Sequence, residues 1–284
     1  MKEVDQNWDL TIRPKRSLLD VDLKALWHYR DLLMLFVRRD IVSVYQQTIL
    51  GPIWFFLQPI LTTITFIVIF GNIAKLSTDG VPSVLFYLSG LVLWNYFAAC
   101  LTSTSDTFTA NAAIFGKVYF PRLIIPLSLV VSNLLKMGIQ VFLFIVVWLY
   151  FLFQDESVVR VNAVVLLFPF LLILMAGYGL SFGIIISSLT TKYRDLKFLV
   201  QFGVQLLMYA SPVVYPLSMV PEKYKWILLL NPMTSIIETF KYGFLGSGMY
   251  NIVWLLYNFI GMFFFLNVGV LIFNKVEKTF MDTV

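Results

Sequence analysis

Ser128, Ser132, Lys136 and Gln140 recur every four residues inside a long apolar run, and Asn133 lies beside them. On a helix that spacing stacks them along one face. Gln201, Gln205 and Tyr209 form a second line of this kind, and Gln58, Thr62 and Thr65 form a third. Trp94, Asn95 and Tyr96 add polar atoms to the middle of another apolar stretch. These side chains can donate and accept hydrogen bonds, so the chemistry open to them is non-covalent. They can bond helix to helix, at about 0.6 kcal/mol per contact on average. They can instead line a polar path for a hydroxyl-rich solute. The sequence leaves both readings open.

Covalent chemistry has little to work with. The chain holds one histidine, His28, and one cysteine, Cys100, too few for the usual zinc sites or a disulfide framework. A phosphate-binding loop needs G-x-x-x-x-G-K-[S/T]. Gly116 and Lys117 come nearest, without the upstream glycine or the following hydroxyl. ATP hydrolysis of that kind is not expected here, and neither a bound cofactor nor a metal is expected. A proton-coupled carrier normally places Asp or Glu within its spans, and the 16 acids of this chain fall elsewhere. A membrane-embedded glycosyl- or acyltransferase would cluster acids or histidines in one loop. The nearest groups, Tyr193-Arg194-Asp195 and Asp155-Glu156, fall on opposite sides of the expected topology.

The elements that must position these residues are membrane helices. Of the 284 residues 59% are hydrophobic and only 13% charged, far from a soluble domain. Residues 41–74, 80–105, 161–191, 198–221 and 242–274 are charge-free, and 123–154 is broken only by Lys136. Each exceeds the roughly 20 residues that span a bilayer as a helix. Alternating barrel patterns are missing. The expectation is therefore an all-α integral membrane protein with six spans, near 52–71, 84–103, 123–152, 162–190, 198–215 and 251–273, in one transmembrane domain over residues 1–284. The first 17 residues have no apolar core, so no cleavable signal peptide is expected. With both termini inside, fifteen of the 21 Lys and Arg fall in inner segments and five in outer ones, with Lys136 in a span. The positive-inside rule favours that orientation. It also accounts for the net charge of +5 without nucleic acid.

Before the first span, residues 22–40 have helical period and a split surface. Lys24, His28, Asp31, Arg38 and Arg39 share one arc; Leu26, Trp27, Tyr29, Leu33, Met34, Phe36 and Val37 fill the other. Such a helix lies in the membrane interface, or packs as a solvent-facing helix on another domain. Gly51 and Pro52 provide a turn into the first span. Between spans five and six, Pro212, Pro216, Pro221 and Pro232 interrupt an apolar segment. Its charge-free stretch 226–237 is too short to cross. The expectation is an external re-entrant helical hairpin, residues 216–246, with Asn231-Pro232 starting its second helix and Gly243 or Gly246 ending it. Glu238 and Lys241 stand one turn apart on that helix, either as a structural ion pair or as part of a gate.

One stretch resists a purely membrane reading. FGKVYFPRLIIP, residues 115–126, sets Lys117 and Arg122 among prolines between two apolar runs. Together with RRDIVSVYQQTILGPIWFFLQP, TKYRDLKFL, SPVVYP and NPMTSIIETFKYGFLG, it resembles the signatures of the permease subunits of polysaccharide-exporting ATP-binding-cassette transporters. The resemblance runs in order over nearly the whole chain. The family often has basic residues near Val44 to Gln47, where this chain reads VYQQ; Arg38 and Arg39 are the nearest substitutes.

The resemblance implies a channel made of two copies of this chain, in a bacterial cytoplasmic membrane, exporting a lipid-linked glycan of O-antigen, capsule or teichoic-acid type. Power comes from two copies of a separate ATPase subunit, which binds ATP and Mg. Arg38, Arg39, Asn111, Phe115, Lys117, Tyr119, Arg194 and Asp195 are expected to couple to it, through a short helix near 111–118. Gln58, Asn95, Tyr96, Lys136, Gln140, Gln201, Gln205 and Tyr209 are expected on the substrate path. Pro212, Tyr215, Pro232, Glu238 and Lys241 are expected at an external gate. Membrane lipids complete the partner set. The alternatives are a drug or simple-lipid exporter of the same architecture, or the transferase.

Overall fold

The computed structural model describes residues 23–45, 51, 53–154 and 159–280, and each regular element among them is helical. The segment before residue 22, Gln46 and Gln47, Pro52, and Asp155 and Glu156 lie outside the described residues. In chain order the helices are α1 (Leu23–His28), α2 (Arg30–Tyr45), α3 (Ile53–Ile73), α4 (Ser83–Ser105), α5 (Thr107–Ala110), α6 (Ala112–Phe115), α7 (Ile124–Gln154), α8 (Ala163–Thr190), α9 (Leu196–Tyr209), α10 (Glu222–Leu230), α11 (Pro232–Leu245) and α12 (Ile252–Phe280). The last turns of α3 are π-helical and the first turn of α8 is 3-10.

Five helices, α3, α4, α7, α8 and α12, are long and apolar enough to cross a membrane. The expected span at 198–215 is different: its helix is α9, 14 residues, or about 21 Å at 1.5 Å per residue. That falls short of a hydrocarbon core of about 30 Å. Pro212 accounts for the early stop, because it cannot donate into a helix and disfavours helical backbone at Ser211. Asn231 Nδ2 captures the freed carbonyl of Ala210 at 3.2 Å, and Lys241 Nζ captures that of Pro212 at 2.6 Å. Residues 211–214 are buried in the protein, as irregular backbone at membrane depth must be.

Helix α4 is the axis of the chain. Both of its faces are buried, and α3, α7, α8, α9 and α11 pack around it. Two glycines of α8 permit its closest neighbour. A Cβ on Gly179 would lie 2.6 Å from Cys100 Cβ, and one on Gly183 2.7 Å from Thr104 Cβ. Small residues four apart let membrane helices approach at backbone distance. Cys100 is thus a small packing residue against this stripe.

Caps readable in the sequence operate as expected. Asn231 Oδ1 accepts from Met233 N at 3.1 Å, Pro232 takes the first turn of α11, and Gly246 ends it at φ +71°. Asn251 Oδ1 likewise accepts from Val253 N at 2.8 Å to open α12. Gly51 turns the chain at φ +43° before α3.

The expected interfacial helix breaks at Tyr29 and runs on to Tyr45. Its apolar arc divides in two. Leu26, Tyr29, Leu33, Phe36 and Val37 pack inward, whereas Trp27 and Met34, with Leu35, are exposed. One half of the arc is therefore docked on the protein and the other is exposed.

Candidate functional site

Helices α3, α4 and α7 surround a cavity of about 320 Å³, whose polar wall includes Gln58, Asn95, Tyr96, Asn133, Lys136 and Gln140. Five residues expected on a substrate path thus come together. Asn95 Nδ2 donates to Gln140 Oε1 at 3.4 Å, Lys136 Nζ to Asn133 Oδ1 at 3.2 Å, and Asn133 Nδ2 to Ser103 Oγ at 2.9 Å. Three hydroxyls of the four-residue lines bond back to their own helices. Ser128 Oγ bonds its own helix at Ile125 O, and Thr62 and Thr65 bond back to Gln58 O and Leu61 O.

A second cavity, about 360 Å³, shares Ala99, Thr102 and Asn133 with the first. It runs on past Ser105 and Gln201 to Asp106 and Lys197, whose Oδ2 and Nζ are 2.7 Å apart. Gln201 is on this wall, while Gln205 and Tyr209 are exposed farther along α9 and line neither cavity. Nothing in the sequence sets Lys197 and Asp106 together. No local pattern links two residues so far apart in the chain.

Beyond this pair, every segment assigned to the inner side meets at one end of the molecule. Phe108 stacks on Phe273 of α12 with centroids 4.4 Å apart, and Phe115 and Phe120 join them with Phe36 of α2. Arg122 Nη1 donates to Glu277 O at 2.8 Å, and its guanidinium lies 5.3 Å from the Phe115 ring centroid. Burial pulls the Arg122 guanidinium below its ordinary pKa, and the Glu277 carboxylate pulls it back up. Thr190 Oγ1 donates to Ser105 O, and Phe108 N to Ser187 Oγ, so α8 also holds this loop.

These contacts sort the expected coupling residues. Lys117, Tyr119, Arg194 and Asp195 are exposed, as are Arg38 and Arg39. Arg39 is bound to Asp40 Oδ1 at 2.7 Å and lies over Phe36. Phe115 is a correction: it is 6% exposed, an anchor under the loop with little surface for a partner. Asn111 is buried as well, its Nδ2 donating to Thr107 O at 3.0 Å. The short helix expected near 111–118 is the single turn α6, entered from Asn111 and closed by Gly116.

At the opposite end α11 is wedged among α4, α8, α10 and α12. Glu238 and Lys241 are 2% and 1% exposed; each charge acts on the other, but their close contacts go elsewhere. Lys241 Nζ goes to Pro212 O and lies 3.5 Å from the Phe86 ring centroid. Glu238 Oε2 accepts from Met249 N at 3.1 Å. One residue holds the segment after α9 and the other the segment after α11. Pro212 is buried and Tyr215 half-buried against the same core, and Pro232 opens α11. Among the described residues no group of three His, Cys, Asp or Glu is placed to hold a metal.

Residues 31–245 match the family described as ABC-2 type transporter. The O-antigen export system permease protein RfbA of Klebsiella pneumoniae is 30% identical over 255 residues, which cover 89% of this chain and 94% of that protein. RfbA of Myxococcus xanthus is 27% identical over 222 residues, 77% and 82% of the two chains. The polysialic acid transport protein KpsM of Escherichia coli is 24% identical over 208 residues, 70% and 76%.

Proposed function

Because this chain belongs to the ABC-2 type transporter family, in which it is a transport permease and not an enzyme, we propose that its cargo is a lipid-linked polysaccharide. The observation that carries this reading is the cavity of neutral amides, Tyr96 and Lys136. Hydroxyl-rich chains need many exchangeable hydrogen-bond partners and few fixed charges. The relatives' cargoes, O-antigen and polysialic acid, point the same way.

Two copies form the channel in a bacterial inner membrane, each with both termini inside. The remaining crossing, fifth in chain order, is α9 completed by the buried segment 211–214, and α10 with α11 form an external re-entrant hairpin. A separate ATPase, also in two copies, binds ATP and Mg and docks on the exposed Lys117, Tyr119, Arg194 and Asp195. Phe115 keeps that surface in shape from beneath. Closure of the ATPase moves the α5–α6 loop, and through Asp106 and Lys197 the motion reaches the cavities. At the outer end the hairpin opens and closes the exit.

Reconstitution of the complex in vesicles tests this. Export of lipid-linked glycan should require ATP and both subunits, and candidate glycans should stimulate ATP hydrolysis. Stimulation by simple lipids or drugs alone would transfer the reading to those cargoes. Disulfide tethering of the two hairpins should stop export; undiminished export would remove the hairpin from the gate.

A further inference from the structure

We propose that Phe273 and Glu277 of α12 are positioning residues: they grip the α5–α6 loop near both its ends, so that the loop, α8 and α12 move as one body when the ATPase closes. This deepens the proposed function and rests on the docking of the ATPase to that loop.

The grip has two points on one face of α12, because residues 273 and 277 are one turn apart. Phe273 stacks on Phe108, near the start of the loop, with ring planes 26° apart. Both rings are fully buried. Glu277 meets Arg122, at the end of the loop, through its carbonyl at 2.8 Å and through Oε1 at 3.7 Å from Arg122 Nε. Glu277 lies in the last turn of α12 as described. Carbonyls there have no donor within the helix, and a cation is favoured at that end. The planar fork of arginine serves two such acceptors at once, which the point charge of a lysine does less well.

Phe115 fills the space between the two points. Its ring centroid is 6.0 Å from that of Phe108 and 5.3 Å from the Arg122 guanidinium. Lys117 and Tyr119, both exposed, lie between Phe108 and Arg122 in the chain. A push on them is therefore borne by both points, and the loop cannot tilt on α12 without opening a buried ring stack.

Helix α12 is in turn locked to α8. A Cβ on Gly269 would lie 3.0 Å from Ile184 Cδ1 and 3.1 Å from Ser181 O. Helix α8 also holds the loop directly, since Phe108 N donates to Ser187 Oγ at 3.2 Å. Close-packed elements of this kind shift as bodies instead of deforming continuously. Helix α9 is attached differently, through the partly exposed side chains of Lys197 and Asp106. The edge of the body thus runs along the second cavity, with Gln201 of α9 on one wall and Ser105 on the other.

Chemical joining tests this in the complex with its ATPase, reconstituted in vesicles. Cys100 is buried, which leaves a short bismaleimide to the introduced pairs. R122C with E277C, unjoined, should lower the glycan exported per ATP hydrolysed about fivefold. Joining that pair should return the ratio to the wild-type value. D106C with K197C, joined in the same way, should stop export. A contact that only steadied the fold would lower the melting temperature and leave the ratio alone. The proposal is overturned if the joined 122–277 pair stops export or leaves the unjoined defect uncorrected. Export at the wild-type rate by the joined 106–197 pair overturns it as well. Should R122C with E277C fail to assemble, R122K must lower the ratio by itself, and an unaltered ratio there is equally fatal. Wild-type export is measured first, and co-purification of the ATPase with K117A and Y119A reports on docking. Failure of the proposed function and failure of the grip are therefore read from different assays.

Discussion

Lys197 Nζ and Asp106 Oδ2 lie 2.7 Å apart, joining the first turn of α9 to the hinge between α4 and α5. Both line the second cavity, so the pair stands between the α5–α6 loop and the polar wall around Lys136. Its side chains are 48% and 27% exposed, and a pair so open to solvent contributes at most about 1 kcal/mol. That is small for stability, but it shifts a two-state opening equilibrium about fivefold.

D106N or K197Q should accordingly leave thermal stability within about 1 kcal/mol of wild type. Labelling of a cysteine introduced by Q201C should speed up several-fold. The charge exchange D106K with K197D should return it toward wild type. Labelling that ignores all three changes would show that the pair does not close the path.

At the loop itself, two kinds of residue should separate. F115A removes a buried ring from the cluster with Phe108, Phe120 and Arg122, at about 3 to 5 kcal/mol. It should lower the melting temperature of the permease purified alone. K117A with Y119A alters exposed side chains. It should leave that melting temperature unchanged while weakening co-purification with the ATPase. A permease destabilised equally by both sets would contradict this division.

The outer end allows a double-mutant test. K241M keeps the stem but leaves Pro212 O without its donor, a loss of about 1 to 3 kcal/mol. E238Q keeps an acceptor for Met249 N and should cost less than 1 kcal/mol. Although the two side chains serve different segments, each buried charge acts on the other, so the coupling measured in denaturation of the double mutant should be between about 0.5 and 3 kcal/mol. Additive losses would show that the two charges do not sense each other.

Helix approach is the last point of attack. A methyl at Gly183 would meet Thr104 Cβ at 2.7 Å and Leu101 O at 3.0 Å. G183A should therefore force α8 from α4 and destabilise by about 1 to 3 kcal/mol. Gly138, with open space around its Cβ position, is the control, and G138A should be neutral or slightly stabilising. Equal responses at the two sites would dismiss close packing as the role of Gly183.

Much of this protein was legible in its residues because the governing rules act within a few positions. Apolar runs gave α3, α4, α7, α8 and α12 their places, since backbone groups in a membrane must be satisfied within the segment. Asn231-Pro232 and Gly246 marked helix ends for the same local reason. The polar line through Lys136 was visible from its spacing. Tertiary structure decided what those elements meet. Pro212 announced a break, but only α11 supplied the Asn231 and Lys241 side chains that make a buried break tolerable. Glu238 and Lys241 looked like mutual partners at one turn, yet each found a backbone group on another segment. Phe115 read as a surface residue in a basic loop, until Phe36, Phe108 and Phe273 from three different helices joined a hydrophobic cluster around it. Lys197 chose Asp106 through the packing of α9 on α4. Periodicity and capping are properties of a helix taken alone, whereas the partner of a side chain depends on which neighbour the small-residue stripes let close enough to reach it.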